Sequence, residues 1–139
     1  MSSLRDHQQG PEYILVVEDD PDLADLELMV LRAAGYQARS ASNGAEALDA
    51  VAQQTPSLIL LDMLMPVMDG WRFARAFRAG YGRDTPIVVI TAAEHAEQRA
   101  AEVGAQAVLA KPFELDELLR AVARFLASDQ TSADHAQHP

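Results

Sequence analysis

Cysteine is absent from the 139 residues of this chain. Its absence excludes disulfide bonds, thiol catalysis and zinc sites built on thiolates. Long apolar runs are also missing, since no segment approaches the roughly 18 consecutive apolar residues that span a bilayer. The first ten residues, Met1–Gly10, are polar and lack the apolar core of a signal peptide. We therefore expect a cytoplasmic protein that does not act at a membrane.

Basic residues are scarce, with 11 Lys and Arg against 21 Asp and Glu and a net charge of −10. A broad nucleic-acid surface needs clustered Lys and Arg to displace counterions, so we expect no direct contact with nucleic acid. The 49% hydrophobic content is ordinary for one globular domain. We expect a flexible lead at residues 1–11, a single domain at 12–127 and a disordered polar tail at 128–139.

Short apolar segments alternate with amphipathic ones along this domain. The segments predicted as strands are Tyr13–Val17, Tyr36–Ser40, Leu58–Leu61, Pro86–Thr91 and Ala107–Ala110. The segments predicted as helices are Pro21–Ala34, Ala45–Gln53, Trp71–Ala79, Glu94–Val103 and Leu115–Ala127. This alternation predicts an α/β fold, a doubly wound, flavodoxin-like parallel sheet of five strands in the order 2-1-3-4-5 with five helices.

Local signals set the expected ends and faces of the helices. Asp20 and Asp69 are suited to cap the first and third helices, and Asn43-Gly44 to open the second. Glycines at 35, 80 and 104 are expected to end the first, third and fourth helices. Helical spacing predicts a buried stripe on the first helix made of Leu23, Leu26, Val30 and Ala33.

Carboxylates follow two strands that this order makes neighbours. Asp19 and Asp20 come after the first strand, and Asp62 ends the third. In such sheets ligands bind beyond the carboxyl ends of the strands, at the switch point between these two. Thr91 and Lys111 end the fourth and fifth strands at the same edge. Crowded carboxylates favour Mg²⁺, which commonly bridges protein oxygens to phosphoryl oxygens, so the set predicts phosphoryl transfer to an aspartate.

These residues form an ordered series of short motifs, each beside a strand end. The motifs are Asp19-Asp20, Leu61-Asp62-Met63-Leu64-Met65-Pro66, Asp69-Gly70, Thr91-Ala92 and Lys111-Pro112-Phe113. From about residue 13 to 126 the chain resembles the receiver domain of bacterial two-component response regulators.

The resemblance implies a phosphoacceptor at Asp62, which would take its phosphoryl group from a sensor histidine kinase or a phosphotransfer protein. It implies Mg²⁺ bound by Asp19, Asp62 and the main-chain carbonyl of Leu64, with Asp20 or Glu18 assisting through water.

The resemblance also implies roles at the ends of the last two strands. Thr91 and Ala92 would bind the phosphoryl group and form part of the conformational switch. Lys111 would pair with the phosphoryl group. The Lys111–Pro112 peptide would be cis.

Three positions depart from the pattern of many receivers. Val108 stands where an aromatic ring often reports the position of the threonine hydroxyl, so we expect no aromatic rotamer switch. Leu64 and Ala93 stand where polar side chains can position attacking water. We therefore expect slow loss of the phosphoryl group.

The resemblance further implies a downstream protein partner that contacts a face made by helix 4, strand 5 and helix 5, and it allows phosphorylation-dependent homodimers. Exposed candidates on this face are Glu94, His95, Arg99, Glu114 and Arg120.

Other interpretations remain open at this point. The chain could be a phosphorylation-independent scaffold or a receiver excised from a larger regulator. An aspartyl-phosphate hydrolase usually needs an acid two residues after its nucleophile, where this chain has Leu64. A flavodoxin-like cofactor carrier would want a hydroxyl- or Gly-rich phosphate loop where Glu18-Asp19-Asp20 would repel phosphate.

Overall fold

The sheet has five parallel strands in the predicted order, β2-β1-β3-β4-β5, in a computed structural model that describes residues 12–126. The expectations for residues 1–11 and 128–139 lie outside the described residues. The strands are β1 Ile14–Val17, β2 Ala38–Ala41, β3 Leu58–Asp62, β4 Ile87–Ala92 and β5 Ala107–Lys111. Every residue of β1 and β3 is buried, as expected for parallel strands that are covered by helices on both faces.

Five α-helices cover the two faces of the sheet. They are α1 Pro21–Ala33, α2 Gly44–Gln53, α3 Gly70–Tyr81, α4 Ala96–Val103 and α5 Leu115–Ala123. Residues of α1 and α5 pack with Ile14, Val16 and Leu60 on one face. Residues of α2, α3 and α4 pack on the other face, where Phe73 and Phe77 are fully buried. The predicted flavodoxin-like fold is therefore confirmed.

Side-chain caps begin three of the helices as the sequence predicts. The Asp20 carboxylate accepts hydrogen bonds from the main-chain N–H groups of Asp22 and Leu23 at the start of α1. Asn43 caps α2 and Asp69 caps α3 in the same way. These caps place each helix start just beyond the carboxyl edge of the sheet, beside the loops that carry the site.

The buried face of α1 differs from the prediction. Ala24, Glu27 and Leu31 are buried, whereas Leu26 is exposed. The helix is thus turned by about one residue from the predicted stripe. Glu27 enters the interior as a consequence of this rotation.

The ends of several elements also differ. Strand β2 begins at Ala38 rather than Tyr36, because the Tyr36 main-chain N–H donates to the Leu31 carbonyl at the end of α1. The Tyr36 hydroxyl donates to the main-chain carbonyl of Leu126. Gly80 does not end α3; the helix continues to Tyr81, whose ring stacks on Phe77 at 5.4 Å.

Helix α3 ends instead at Gly82, which has φ 81°. The predicted fourth helix begins as a 3-10 turn, Ala93–His95, before α4, and α5 ends at Ala123 rather than Ala127. Gly104 ends α4 with φ 64°, as predicted. None of the helices described between residues 12 and 126 combines the length and apolar character needed to cross a membrane.

A matched pair of glycines in α3 tests the packing of the helix start against β3. A Cβ atom on Gly70 would lie 2.7 Å from the Met63 sulfur and 3.0 Å from the Asp62 carbonyl oxygen. We expect Gly70→Ala to destabilise the protein by about 1–3 kcal/mol through overpacking. Gly80→Ala, where nothing lies within 4 Å, should instead stabilise it by up to about 1 kcal/mol. Urea unfolding measures both, and equal effects of the two substitutions would contradict the packing described here.

Candidate functional site

Three carboxylates meet at the carboxyl edge of the sheet, where β1 and β3 lie side by side. Each of Glu18, Asp19 and Asp62 offers an oxygen, and these oxygens lie within 4.8 Å of one another. The register pairs Val17 with Leu61, so Glu18 and Asp62 extend from the same level of the sheet. Glu18 and Asp62 are buried and Asp19 is exposed. Because carboxylate oxygens are the ligands of hard cations, this cluster fits a metal site.

Lys111 supplies the positive charge of the site. Its Nζ lies 3.4 Å from Glu18 Oε1 and 3.8 Å from Asp62 Oδ1, and its side chain is 33% exposed. It ends β5, and the Lys111–Pro112 peptide that follows is cis, as the resemblance implies. One ammonium therefore lies beside a cluster of three carboxylates and contacts two of them.

Burial and the neighbouring charges both shift the pKa of Asp62. Burial, followed by the charge of Glu18, raises the pKa of Asp62 from 3.8 to about 7. Lys111 and the hydrogen bond from the Leu64 main-chain N–H act in the opposite direction and only partly offset the rise. Burial and the charge of Glu18 thus favour the protonated form of Asp62.

Asp20 stands apart from this cluster. Its carboxylate caps α1, and its own main-chain N–H donates to Glu18 Oε2 at 3.1 Å. Of the two residues considered for a water-mediated role, Glu18 is the one whose carboxylate lies with Asp19 and Asp62. The capping interpretation of Asp20 is confirmed.

Thr91 and Ala92 lie at the end of β4, on the other side of β3 from the acidic residues that follow β1. Asp62 pairs in register with Ile90, and Ala92 pairs with Lys111. Thr91 therefore lies one residue beyond the level of Asp62 on the adjacent strand. It is buried, and Ala92 is exposed.

The loop after Asp62 borders the site and is hydrogen-bonded to the start of α3. Met63 is fully buried, and its carbonyl accepts the N–H of Gly70 at the start of α3. Leu64 and Val67 are exposed, by 61% and 75%. Val67 has φ 68°, a strained conformation for a β-branched residue, within a turn closed by the Met68 N–H and the Pro66 carbonyl.

The roles of two residues near the site were not predicted from the sequence. The sequence does not indicate the positive φ of Val67, because this strain depends on the geometry of the loop. Glu27 of α1 is fully buried, and burial, together with the charges of Glu18 and Asp62, raises its pKa from 4.5 to about 8. The sequence offered one hint of its position, since Glu27 follows Ala24 by three residues and precedes Leu31 by four.

Four of the five side chains predicted to form the contact face are exposed. Glu94, His95, Glu114 and Arg120 are exposed. Arg99 is an exception: its guanidinium stacks over the Trp71 ring at 4.7 Å, so it packs between α4 and α3 and is half-buried.

Comparison with known proteins agrees with this geometry. The family described as the response regulator receiver domain matches residues 14–123. The chain belongs to this family. It is therefore a receiver domain of two-component signalling, and the family resemblance noted in the sequence is confirmed.

Relatives of the receiver chain include the response regulator MprA of Mycobacterium sp. (strain KMS), 39% identical over 125 residues, which are 86% of this chain and 54% of the relative. MprA of Mycobacterium tuberculosis (strain H37Rv) is 42% identical over 108 residues, 76% of this chain and 46% of the relative. The chain thus spans about half the length of these relatives.

Solved structures that resemble it include the chemotaxis protein CheY4 of Vibrio cholerae, with a TM-score of 0.76 and 32% identity over 84% of this chain and 100% of that one. The response regulator TrrA of Thermotoga maritima has a TM-score of 0.74 and 30% identity over 83% of this chain and 99% of that one. The TrrA structure is a complex with Mg²⁺-BeF.

The raised pKa values give a pH dependence of stability. Folded Asp62 and Glu27 bind protons over a pH range in which the same groups are ionised in the unfolded chain. Their contribution to stability is therefore largest below the ordinary values of 3.8 and 4.5 and declines up to the raised values of about 7 and about 8. The slope per group is at most about 1.4 kcal/mol for each pH unit.

We expect the metal-free receiver to lose stability between about pH 5 and pH 8, and Asp62→Asn and Glu27→Gln each to flatten part of this slope. Urea unfolding in a chelator measures it. Asp25→Asn, on the exposed side of α1, is the control that should leave the slope as it is. A slope that survives both buried-site substitutions would contradict the assignment.

Proposed function

We propose that Asp62 is the phosphoacceptor of this receiver and takes its phosphoryl group from a sensor histidine kinase or a phosphotransfer protein. The observation that carries the proposal is the crowding of Glu18, Asp19 and Asp62 with one lysine at the switch point of the sheet. An Asp62 carboxylate oxygen forms a bond to phosphorus as the bond from phosphorus to the histidine nitrogen breaks. The electron pair of the broken bond stays on the imidazole ring.

A divalent cation suits the site because the negative charge is in excess there. Burial and then the charge of Glu18 raise the pKa of Asp62, which is the direction expected for a buried carboxyl group short of positive charge. Asp19, Asp62 and the Leu64 carbonyl would hold Mg²⁺ directly, and Glu18 would hold it through water, as the nearer of the two candidates. Bound there, Mg²⁺ would neutralise charge that builds up on the phosphoryl oxygens.

The remaining groups would act on the phosphoryl group once it is formed. The Lys111 ammonium, 3.8 Å from Asp62 Oδ1, would pair with a phosphoryl oxygen. The Thr91 hydroxyl and the main chain at Ala92 would approach it from β4. Val108 is a half-buried aliphatic residue of β5, so the signal would travel through Thr91 and the 3-10 turn that follows Ala92.

We infer that the protein acts as a phosphoacceptor and not as an enzyme in its own right. It would signal in the cytoplasm by contact with a downstream protein through α4, β5 and α5, using Glu94, His95, Glu114 and Arg120. Phosphorylation-dependent homodimers would use the same face.

Incubation with acetyl phosphate and Mg²⁺ tests the acceptor. We expect intact mass spectrometry to show one added phosphoryl group on the wild type and none on Asp62→Asn. An adduct that persists on Asp62→Asn would show that another residue is the acceptor. An unmodified wild type would favour the phosphorylation-independent scaffold.

Neighbouring aspartates provide a matched pair for the metal. Asp19→Asn should reduce the adduct at limiting Mg²⁺ by roughly tenfold or more, the scale of a lost ligand or its support. Asp20→Asn should leave the adduct near the wild-type level, since Asn is an equally good helix cap. The reverse ranking would show that Asp20, and not Asp19, holds the cation.

The apolar side chain of Leu64 predicts a long-lived phosphoryl group. Because Leu64 is 61% exposed, Leu64→Asn should leave the packing intact while allowing a polar group to position water. We expect this variant, and Ala93→Glu, to lose the phosphoryl group faster than the wild type in a mass time course. Val67→Asn, an exposed apolar residue of the same loop, should not. A wild-type lifetime of seconds at neutral pH would contradict this account.

A further inference from the structure

Helix α3 and the loop after it concentrate positive charge in an otherwise acidic chain. Residues 70–83 contain four of the 11 basic residues, Arg72, Arg75, Arg78 and Arg83, and no Asp or Glu, although the net charge of the chain is −10. Side chains three or four residues apart are neighbours on a helix, and like charges there repel one another. The stripe therefore lowers the stability of α3 unless a negative group covers it.

Three of these arginines border a groove between α3 and α4, which we call the α3–α4 groove. Arg75 and Arg78 border it from α3 and Arg83 from the loop that follows, and the last turn of α4 with Glu102 forms the facing wall. The groove has a volume of about 460 Å³, within the range of roughly 300–1,000 Å³ that is typical of ligand-binding sites. Arg75 and Arg83 are exposed and Arg78 is half-buried, so a molecule that enters the groove can reach these side chains.

The arginines of the α3–α4 groove are not neutralised by carboxylates. In the part of the chain that the structure describes, ion pairs are formed by Lys111 alone. Glu102 instead accepts hydrogen bonds from the Trp71 indole N–H at 2.6 Å and from the Gln98 amide at 3.3 Å. The groove therefore has an excess of positive charge, with three guanidinium groups and one carboxylate along its walls.

Two walls of the groove are already ordered. The Arg78 guanidinium donates to the Thr85 main-chain carbonyl at 2.7 Å and to the Gln106 side-chain oxygen at 3.3 Å. Burial, followed by the charge of Arg83, lowers the pKa of Arg78, as expected for two cations close together. Trp71 is fixed by its hydrogen bond to the α4 side. Side chains that are held in place before binding lose less conformational entropy when a partner arrives.

We propose that the α3–α4 groove is a docking site for an acidic segment of a partner protein, whose carboxylates pair with Arg75 and Arg83. Guanidinium groups bind carboxylates through two parallel hydrogen bonds. Trp and Arg are also the residue types that contribute most often to protein–protein binding, and Trp71 lies in the same groove as these arginines.

The extent of the positive charge favours a peptide segment over a small anion. The stripe continues beyond the groove to Arg72, about 9 Å along the helix from Arg78 at roughly 1.5 Å per residue. A single phosphate group does not cover that length, whereas an extended segment with several carboxylates does. Nucleic acid fits less well, because a chain with a net charge of −10 repels a long polyphosphate.

This site is separate from the face made by α4, β5 and α5, and it does not rest on phosphorylation of Asp62. Its test therefore uses the unphosphorylated full chain and a fluorescein-labelled hexaglutamate peptide as the probe. Fluorescence anisotropy gives the Kd at about 0.1 M salt, where charges more than about 10 Å apart are largely screened. We expect the wild type to bind the peptide, and no measurable binding would overturn the proposal.

Matched double variants test whether the groove arginines carry the binding. We expect Arg75→Gln with Arg83→Gln to weaken binding by roughly tenfold or more, the scale of a lost hydrogen bond between charged groups. Arg120→Gln with Arg124→Gln removes the same charge from exposed positions at the end of α5 and should leave the Kd within about twofold of the wild type. An equal loss in both double variants would overturn the proposal, because it would show a general effect of charge.

Two further measurements test the place and the occupant. Ala101→Trp fills the groove from the exposed side of α4 without removing a charge, and we expect it to weaken peptide binding too. A wild-type Kd for this folded variant would show that the peptide binds elsewhere and would overturn the proposal. An oligothymidylate of equal charge should bind more weakly than the peptide. Tighter binding that is lost with Arg75 and Arg83 would assign the groove to nucleic acid instead.

Discussion

Repulsion among carboxylates that the sheet forces together is the constraint on which the rest of this structure depends. Glu18 and Asp62 are buried at the ends of adjacent strands, with Asp19 beside them and a single lysine in reach. Water cannot screen such charges well, so the cluster needs a proton, a lysine or a metal cation to be stable. A group that neutralises the cluster therefore also changes the electrostatic environment of the residues around it.

The surrounding elements serve to hold that crowding in place. Two strands buried on both faces fix the level of Glu18 and Asp62. The start of α3 closes on the loop after Asp62 through the Gly70 N–H and the Met63 carbonyl, at a distance that leaves no room for a side chain at Gly70. Val67 is held at positive φ in the same loop, which is consistent with strain being retained beside a functional site.

The fold and most of the site could be predicted because they follow from local rules. Strand and helix order fixes the topology, the topology fixes which strand ends are neighbours, and Asp62, Asp19 and Lys111 occupy those ends. The rotation of α1 could not be predicted, because Leu23 and Leu26 give as good an apolar stripe as Ala24 and Leu31. In the folded protein the buried face is the one with Ala24 and Leu31, and Glu27 lies on that face. The end of α3 at Gly82 and the stacking of Arg99 on Trp71 likewise depend on tertiary contacts.

The central claim is that crowding of negative charge at Asp62 is what a cation relieves. A ¹³C NMR titration of the Asp62 carboxyl group, assigned with Asp62→Asn, tests it most directly. The account predicts a pKa of about 7 without metal and a fall to below the ordinary aspartate range when Mg²⁺ is added. An ordinary pKa in the metal-free protein, or a raised pKa that Mg²⁺ does not lower, would contradict it.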